Sequence, residues 1–313
     1  LLLSIMELSH ATLLVCPTLN PGNAFDDWIA ACKSQTIKPQ NVLVIDSSST
    51  DDTVQKARKE NYDIHVIDRG DFNHGATRNY AWKNYPEIAY VVYLTQDAIL
   101  TDSTSIMKIL RLFEDGDVAA ICGRQLPRVG AGAIETHARL FNYPAESRVC
   151  SIEDSRRLGL KAAFLSNSFA VYRLSALKDV GGFPDDVIFG EDMYIAAKLL
   201  KAGHKVAYAA DACVYHSHDY SLIEEFRRYF DMGVFHAREP WIRRDFGTAE
   251  SEGLKYVVSE MRFLSRHAFW RIPEALLRTV LKYTGFRLGR AEHYIPLNIK
   301  RKMSMNSGYF KTD

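Results

Sequence analysis

Residues 12 to 122 alternate short, almost unbroken apolar runs with stretches of helical period, and few architectures accommodate that order. The runs 12–16, 42–46, 64–67, 90–94 and 118–122 are strand candidates rich in Val, Ile, Leu and Tyr. Between them, 24–34, 52–60, 76–84 and 105–113 carry apolar residues at helical spacing. A strand that is apolar on both sides must be covered on both faces, so the pattern predicts an α/β fold with a mostly parallel, Rossmann-like central sheet flanked by helices. In such a sheet the ligand lies beyond the carboxyl ends of the strands. Polar residues gather at those ends: Thr18 and Asn20, then Asp46, then Gln96 and Asp97.

Further along, 124–157 has weaker periodicity broken by Gly130 and Gly132, which predicts either a mobile loop over the site or a surface excursion. A strand is expected over 164–172, a turn at Gly181-Gly182-Phe183-Pro184, a helix over 195–201 ended by Gly203, and two short strands at 205–209 and 212–216. Beyond Ser221 the chain reads as mostly helical. With 313 residues there is room for one large domain with an appendage, here divided at 235/236. The formal net charge of +1 argues against a polyanion binder, and no nucleic-acid partner is expected. Five cysteines without a Cys-x-x-Cys pair point to a reducing compartment with neither a disulfide framework nor structural zinc. No apolar stretch approaches the roughly 20 residues that span a bilayer. The opening Leu1-Leu2-Leu3-Ser4-Ile5-Met6 has no basic flank, so a secretory signal is not expected, and Met6 is a candidate start.

Four groups of residues carry chemistry. Asp46 ends a strand and is followed by Ser47-Ser48-Ser49-Thr50-Asp51. Ser49 or Thr50 would cap the next helix, with Asp51 and Asp52 favouring its positive end, while Asp46 either belongs to the turn or accepts the imino N–H of a uracil or thymine ring. Asp97 offers a hard oxygen ligand for a divalent cation. His216 and His218, two apart after a strand, share one face and suit a metal or a diphosphate, although packed histidines are commoner. Glu191 and Asp192 precede a helix, where acids are ordinarily favoured by the helix dipole.

These groups, in this order, resemble family 2 glycosyltransferases with the GT-A fold. The resemblance is carried by Pro17-Thr18-Leu19-Asn20, the Asp46 block, Gly75-Ala76-Thr77-Arg78-Asn79, Leu94-Thr95-Gln96-Asp97-Ala98, and Gly181-Gly182-Phe183 followed by Gly190-Glu191-Asp192. It covers about residues 11–235 of the expected GT-A catalytic domain 1–235, and extends more faintly over the helical extension 236–313. It implies that Thr18, Asn20, Asp46, Arg78 and Gln96 bind the donor nucleotide, with the Arg78 charge suited to a diphosphate. It also implies that Asp97 and His218, preferred over His216, hold Mg2+ or Mn2+. The family's usual Asp-x-Asp is here Thr95-Gln96-Asp97, and its second strand-end Asp is Ser47. Asp192 is implied as the general base, with Glu191 and Gly182 on the acceptor side.

Gln96-Asp97-Ala98, Gly123-Arg124-Gln125-Leu126-Pro127, Phe141-Asn142-Tyr143-Pro144, Ser166-Asn167-Ser168-Phe169 and Asp71-Phe72-Asn73-His74-Gly75 are similar to bacterial rhamnosyltransferases of polysaccharide assembly. That subgroup uses dTDP-L-rhamnose, which implies inverting transfer of rhamnose to a hydroxyl of a lipid-linked saccharide at the cytoplasmic face of the inner membrane. Another pyrimidine-nucleotide sugar, a nucleotidylyltransferase and a non-catalytic glycan-binding protein are the rival readings. The second would call for a Gly-rich phosphate loop after the first strand, where this chain has Pro17-Thr18-Leu19-Asn20. Finally, 271–302 holds eight Lys/Arg against Glu274 and Glu292, with Leu276, Leu277, Val280 and Leu281 interspersed. Either an anionic membrane surface receives this segment, or it packs on the catalytic domain with a solvated basic face.

Overall fold

The computed structural model describes residues 5–247 and 250–311; Leu1–Ser4, the start of the opening segment, lie outside them. Nine strands form one sheet: β1 (Thr12–Thr18), β2 (Asn41–Asp46), β3 (Asp63–Val66), β4 (Tyr90–Leu94), β5 (Ile99–Leu100), β6 (Val118–Leu126), β7 (Arg148–Cys150), β8 (Phe169–Arg173) and β9 (Lys205–Tyr215). The helices interleaved with them are α1 (Ile5–His10), α2 (Ala24–Lys33), α3 (Thr53–Lys59), α4 (His74–Asn84), α5 (Ser105–Arg111), α6 (Ala133–Asn142), α7 (Ser155–Leu158), α8 (Leu174–Asp179) and α9 (Glu191–Lys201). Five more follow: α10 (Leu222–Arg238), α11 (Pro240–Phe246), α12 (Glu250–His267), α13 (Ile272–Arg290) and α14 (Leu297–Met303).

The sheet order is β3-β2-β1-β4-β8-β6-β9-β5, with β7 also on β9. The first four strands are parallel, as their two-sided apolar character demands. Beyond β4 the sheet is mixed: β8 runs antiparallel to both β4 and β6, while β6 and β9 are parallel. Two cores cover the faces, one built around Tyr93, Tyr172, Phe183 and Phe230, the other around Phe25, Trp28, Ile106 and Phe113.

Several expectations change. Residues 205–209 and 212–216 form a single irregular strand, whose register against β6 jumps between Gly123 and Arg124. A side chain at Gly123 would press into Phe169 and the carbonyl of Ala212, so only glycine lets the bulged strand approach. Residues 164–168 are not strand, and 124–157 is neither a long loop nor a simple excursion: it completes β6 and supplies α6 and β7. Ser49 and Thr50 do not cap α3: Asp52 is the N-cap residue and makes no side-chain capping bond, while Asp51 just before it accepts from the Thr53 amide at 3.1 Å and from the Gly22 amide at 2.9 Å.

The C-terminal helices are part of the same body. Position 235 lies inside α10, and Ile242, Phe246 and Phe310 share a core with the sheet. Helices α10 and α13 cross in near-backbone contact, since a Cβ at Gly289 would meet the Phe230 carbonyl oxygen at 2.0 Å and one at Gly285 the Phe226 oxygen at 2.5 Å. Four of the eight basic residues form ion pairs among the described residues: Arg271 with Glu274, Arg278 and Lys282 with Glu225, and Lys300 with Glu292.

Candidate active site

Strand pairing explains why distant motifs meet. The short β5 runs antiparallel to the end of β9, with Ile99 opposite Tyr215, so Asp97 falls beside the residues that follow β9. Asp97 Oδ2 lies 3.4 Å from His216 Nε2 and 3.8 Å from His218 Nδ1. One ligand atom from each of the three lies within 4.8 Å of the others. Thr95, standing where the family pattern has an acid, donates its hydroxyl to Asp97 Oδ1 at 2.7 Å and thereby orients the carboxylate.

His216 is as much a member of this cluster as the preferred His218. Its Nδ1 lies 2.9 Å from Gln125 Oε1, which also accepts from Arg139 Nη1 at 2.7 Å. An amide oxygen only accepts, so the imidazole proton sits on Nδ1 and Nε2 presents a lone pair to the cluster. Burial lowers the basicity of both histidines, that of His218 to about 3 with help from His216. Burial opposes ionisation of Asp97, while the Thr95 hydroxyl that donates to its Oδ1 favours the carboxylate, and the carboxyl lies well below its ordinary range. An ionised carboxylate with two neutral imidazoles is a donor set that fits a divalent cation such as Mn2+. Arg128 borders it, its Nη2 3.6 Å from Asp97 Oδ2.

The second centre is the acid pair. Gly190, left-handed at φ +79, turns the chain into α9 and sets Glu191 and Asp192 in its first turn. Glu191 is buried against Arg78 Nη1 at 3.2 Å and accepts from Asn167 Nδ2 at 3.0 Å. Burial would raise its pKa, but Arg78 and His74 prevail and lower it. Asp192 forms no ion pair among the described residues, and the Met193 amide donates to its Oδ1. Burial, and then the Glu191 charge, push its carboxyl up to about 7. The Ser166-Asn167-Ser168 segment, which the sequence marks without giving it a role, joins the two centres: Ser166 accepts from Gln125, Asn167 holds Glu191, and the Ser168 carbonyl accepts from the Thr95 amide.

Other expected residues serve the framework. Asp46 is fully buried, and Thr18, the Ser49 hydroxyl and the Ser49 amide all donate to it at 2.6–2.8 Å. It locks the loop between β2 and α3 and has no oxygen turned outward for a base. Asn20, at φ +46, accepts from the Thr50 amide at 2.7 Å, and Gln96 clasps both backbone groups of Leu19. Arg78 does not offer its charge to a diphosphate, because it is buried against Glu191 and donates to the His74 carbonyl. Gly182 is not an acceptor contact either: it is buried at φ +79, where a Cβ would strike Asn79 and Trp82. Arg128 and Arg139 join the site from outside the sequence reading, and Gln125, which the sequence marks within Gly123-Arg124-Gln125-Leu126-Pro127 without giving it a role, joins it as well.

Comparison with known proteins bears on the family. The chain is 48% identical over 298 residues to the O-antigen chain rhamnosyltransferase WbaN of Salmonella anatum, covering 95% of each chain. The same identity and coverage relate it to the O-antigen chain rhamnosyltransferase RfbN of Salmonella typhimurium. Among solved structures, the mannosyltransferase PcManGT of Pyrobaculum calidifontis, in complex with GDP-Man and Mn2+, superposes with a TM-score of 0.55 at 16% identity, covering 96% of this chain and 84% of that one. S. aureus TarS 1-349 in complex with UDP-GlcNAc gives 0.52 at 15% identity, covering 90% and 91%. These two show a shared fold, and residues 14–181 match the sequence family described as Glycosyl transferase family 2. With that family matched over more than half of the chain and relatives matched along nearly its whole length, the chain belongs to glycosyltransferase family 2.

Proposed function

We propose that this glycosyltransferase moves L-rhamnose from dTDP-L-rhamnose to a hydroxyl of a lipid-linked saccharide, with inversion at the anomeric carbon. The observation that carries the mechanism is the split between two neighbouring carboxyls, one held ionised by Arg78 and the other raised beside it. Asp192 accepts the proton as the acceptor oxygen attacks C1. The C1–O bond to phosphate breaks, and its electron pair leaves with dTDP. A single displacement needs no covalent intermediate.

Asp97, His216 and His218 hold Mg2+ or Mn2+, which when bound supplies positive charge to the departing diphosphate. Thr18, Asp46, Ser49 and Asn20 form a braced loop that shapes the nucleoside pocket, with Asp46 acting through that loop. Gln96 fixes the neighbouring Leu19 backbone.

No helix among the described residues is long and apolar enough to cross a membrane. Phe269 and Trp270, at the α12–α13 turn, are nonetheless 68% and 66% exposed, and Val280 and Tyr283 on α13 are exposed too. Arg287, Arg290, Arg301 and Lys302 are exposed on the same C-terminal region. Aromatic and basic side chains together suit the interface of an anionic bilayer, so we place the protein peripherally on the cytoplasmic face of the inner membrane. Calorimetric binding of dTDP-L-rhamnose, UDP-hexoses and GDP-mannose tests the donor: tightest binding of dTDP-L-rhamnose is expected, and preference for a purine nucleotide would end this reading.

A further inference from the structure

Arg228, on α10, takes no part in the chemistry above, yet it occupies the space between the two centres. Its guanidinium carbon lies 4.8 Å from the centre of the Phe189 ring and 5.6 Å from that of Tyr220. Tyr220 stacks on His218 with centroids 4.9 Å apart, and His218 borders Asp97. Phe189 directly precedes Gly190-Glu191-Asp192. Contacts therefore run from Asp97 through His218, Tyr220 and Arg228 to Phe189, two residues before the acid pair in the chain.

The Arg228 charge is also unspent. Among the described residues no carboxylate lies within ion-pair distance, and the hydrogen bond it makes is a long one, Nη1 to the Tyr220 hydroxyl at 3.5 Å. Arg78 and Arg128, by contrast, are engaged by Glu191 and Asp97. Two aromatic faces hold the guanidinium in place largely without its N–H groups, and those not directed at the Tyr220 hydroxyl are available to grip an oxyanion.

We propose that Arg228 is a catalytic residue whose N–H groups bind the donor diphosphate from the side facing the acid pair and stabilise it as the C1–O bond breaks. The electron pair of that bond goes to the phosphate oxygen, where a preorganised cation is most effective because charge is accumulating there. The inference rests on the nucleoside-diphosphate donor proposed for this site. A diphosphate on the acceptor's lipid carrier has the same chemistry, and the test separates the two.

Binding of dTDP and of thymidine to the full chain with Mg2+ is measured by calorimetry for wild type, Arg228→Gln and Arg228→Lys, alongside steady-state transfer. Arg228→Gln is expected to bind dTDP at least about tenfold more weakly with thymidine binding unchanged, and to lose roughly 10²–10³-fold in kcat. Arg228→Lys should fall between the two, and free guanidinium should restore part of the Arg228→Ala turnover. Unchanged dTDP affinity and kcat would overturn the proposal. So would a rise confined to the acceptor KM, which assigns the residue to the lipid carrier, or an equal loss of thymidine binding, which marks a packing role. If wild type binds UDP as tightly as dTDP, the thymidine-nucleotide reading fails, while weakening of both nucleotides by Arg228→Gln still supports the assignment.

Discussion

Glu191 and Asp192 are neighbours in sequence, but what surrounds each differs. Arg78 and Asn167 close on Glu191, whereas Asp192 hydrogen-bonds the amide of Met193 and meets the Glu191 charge. Asp192→Asn keeps the shape and cannot take the proton, so transfer should fall by roughly 10²–10⁴-fold while calorimetric dTDP affinity holds. A base must be deprotonated to act, and the Asp192 carboxyl is raised to about 7. Wild-type turnover should therefore climb as pH rises through about 7, with His74, Arg78 and Glu191 as the ionisable neighbours that set the midpoint. A flat profile from about pH 5 to 9 in a pH–rate measurement would remove Asp192 from that role. On the cation side, Gln125→Leu leaves His216 free to rotate and should weaken Mn2+ binding, read by electron paramagnetic resonance, by roughly 10–100-fold. That Asp97, His216 and His218 would meet is legible in their places after strand ends, whereas Asp192 is marked only by the family resemblance. Asp46, Arg78 and Gly182 take other parts than the sequence suggests because their partners, Thr18, Glu191 and Asn79, are distant in the chain and satisfy or enclose them.

Among the elements, β9 and the α10–α13 crossing depend most on single small residues. Gly289 faces the Phe230 carbonyl with no space for a methyl, while a Cβ added at Gly253 on α12 would meet nothing within 4 Å. Gly289→Ala should therefore destabilise the protein by roughly 1–3 kcal/mol through overpacking. Gly253→Ala should be neutral or gain about 0.4–1 kcal/mol through reduced chain entropy. Urea unfolding of the two variants checks the contrast, and equal midpoints would show that the crossing is not tight. The first four strands are readable to within a few residues because each carries its own apolar signature. The antiparallel insertion of β8, and the joining of 205–209 with 212–216, are not. Both depend on which strand lies alongside, and a bulge such as that facing Gly123 interrupts the periodicity that would have announced one strand.

At the scale of the whole molecule, a catalytic cleft and an exposed aromatic edge belong to one packed body. Arg278 links them, donating to the Tyr220 carbonyl from within α13. The double substitution Trp270→Ser with Val280→Asp should reduce sedimentation with anionic vesicles several-fold and leave dTDP affinity unchanged. Added salt should weaken the wild-type association only in part, because screening acts on the charges and not on the apolar contact. Equal sedimentation of variant and wild type would move the membrane contact elsewhere. The central claim is the reaction, and the most direct measurement is transfer itself. Purified protein is mixed with dTDP-L-rhamnose, Mg2+ and a lipid-linked acceptor, dTDP release is followed, and the anomeric configuration of the product is read by NMR. The account predicts acceptor-dependent dTDP release, abolished by chelator, with the anomeric configuration opposite to that of the donor. Retained configuration, or transfer only from a different sugar nucleotide, would contradict it.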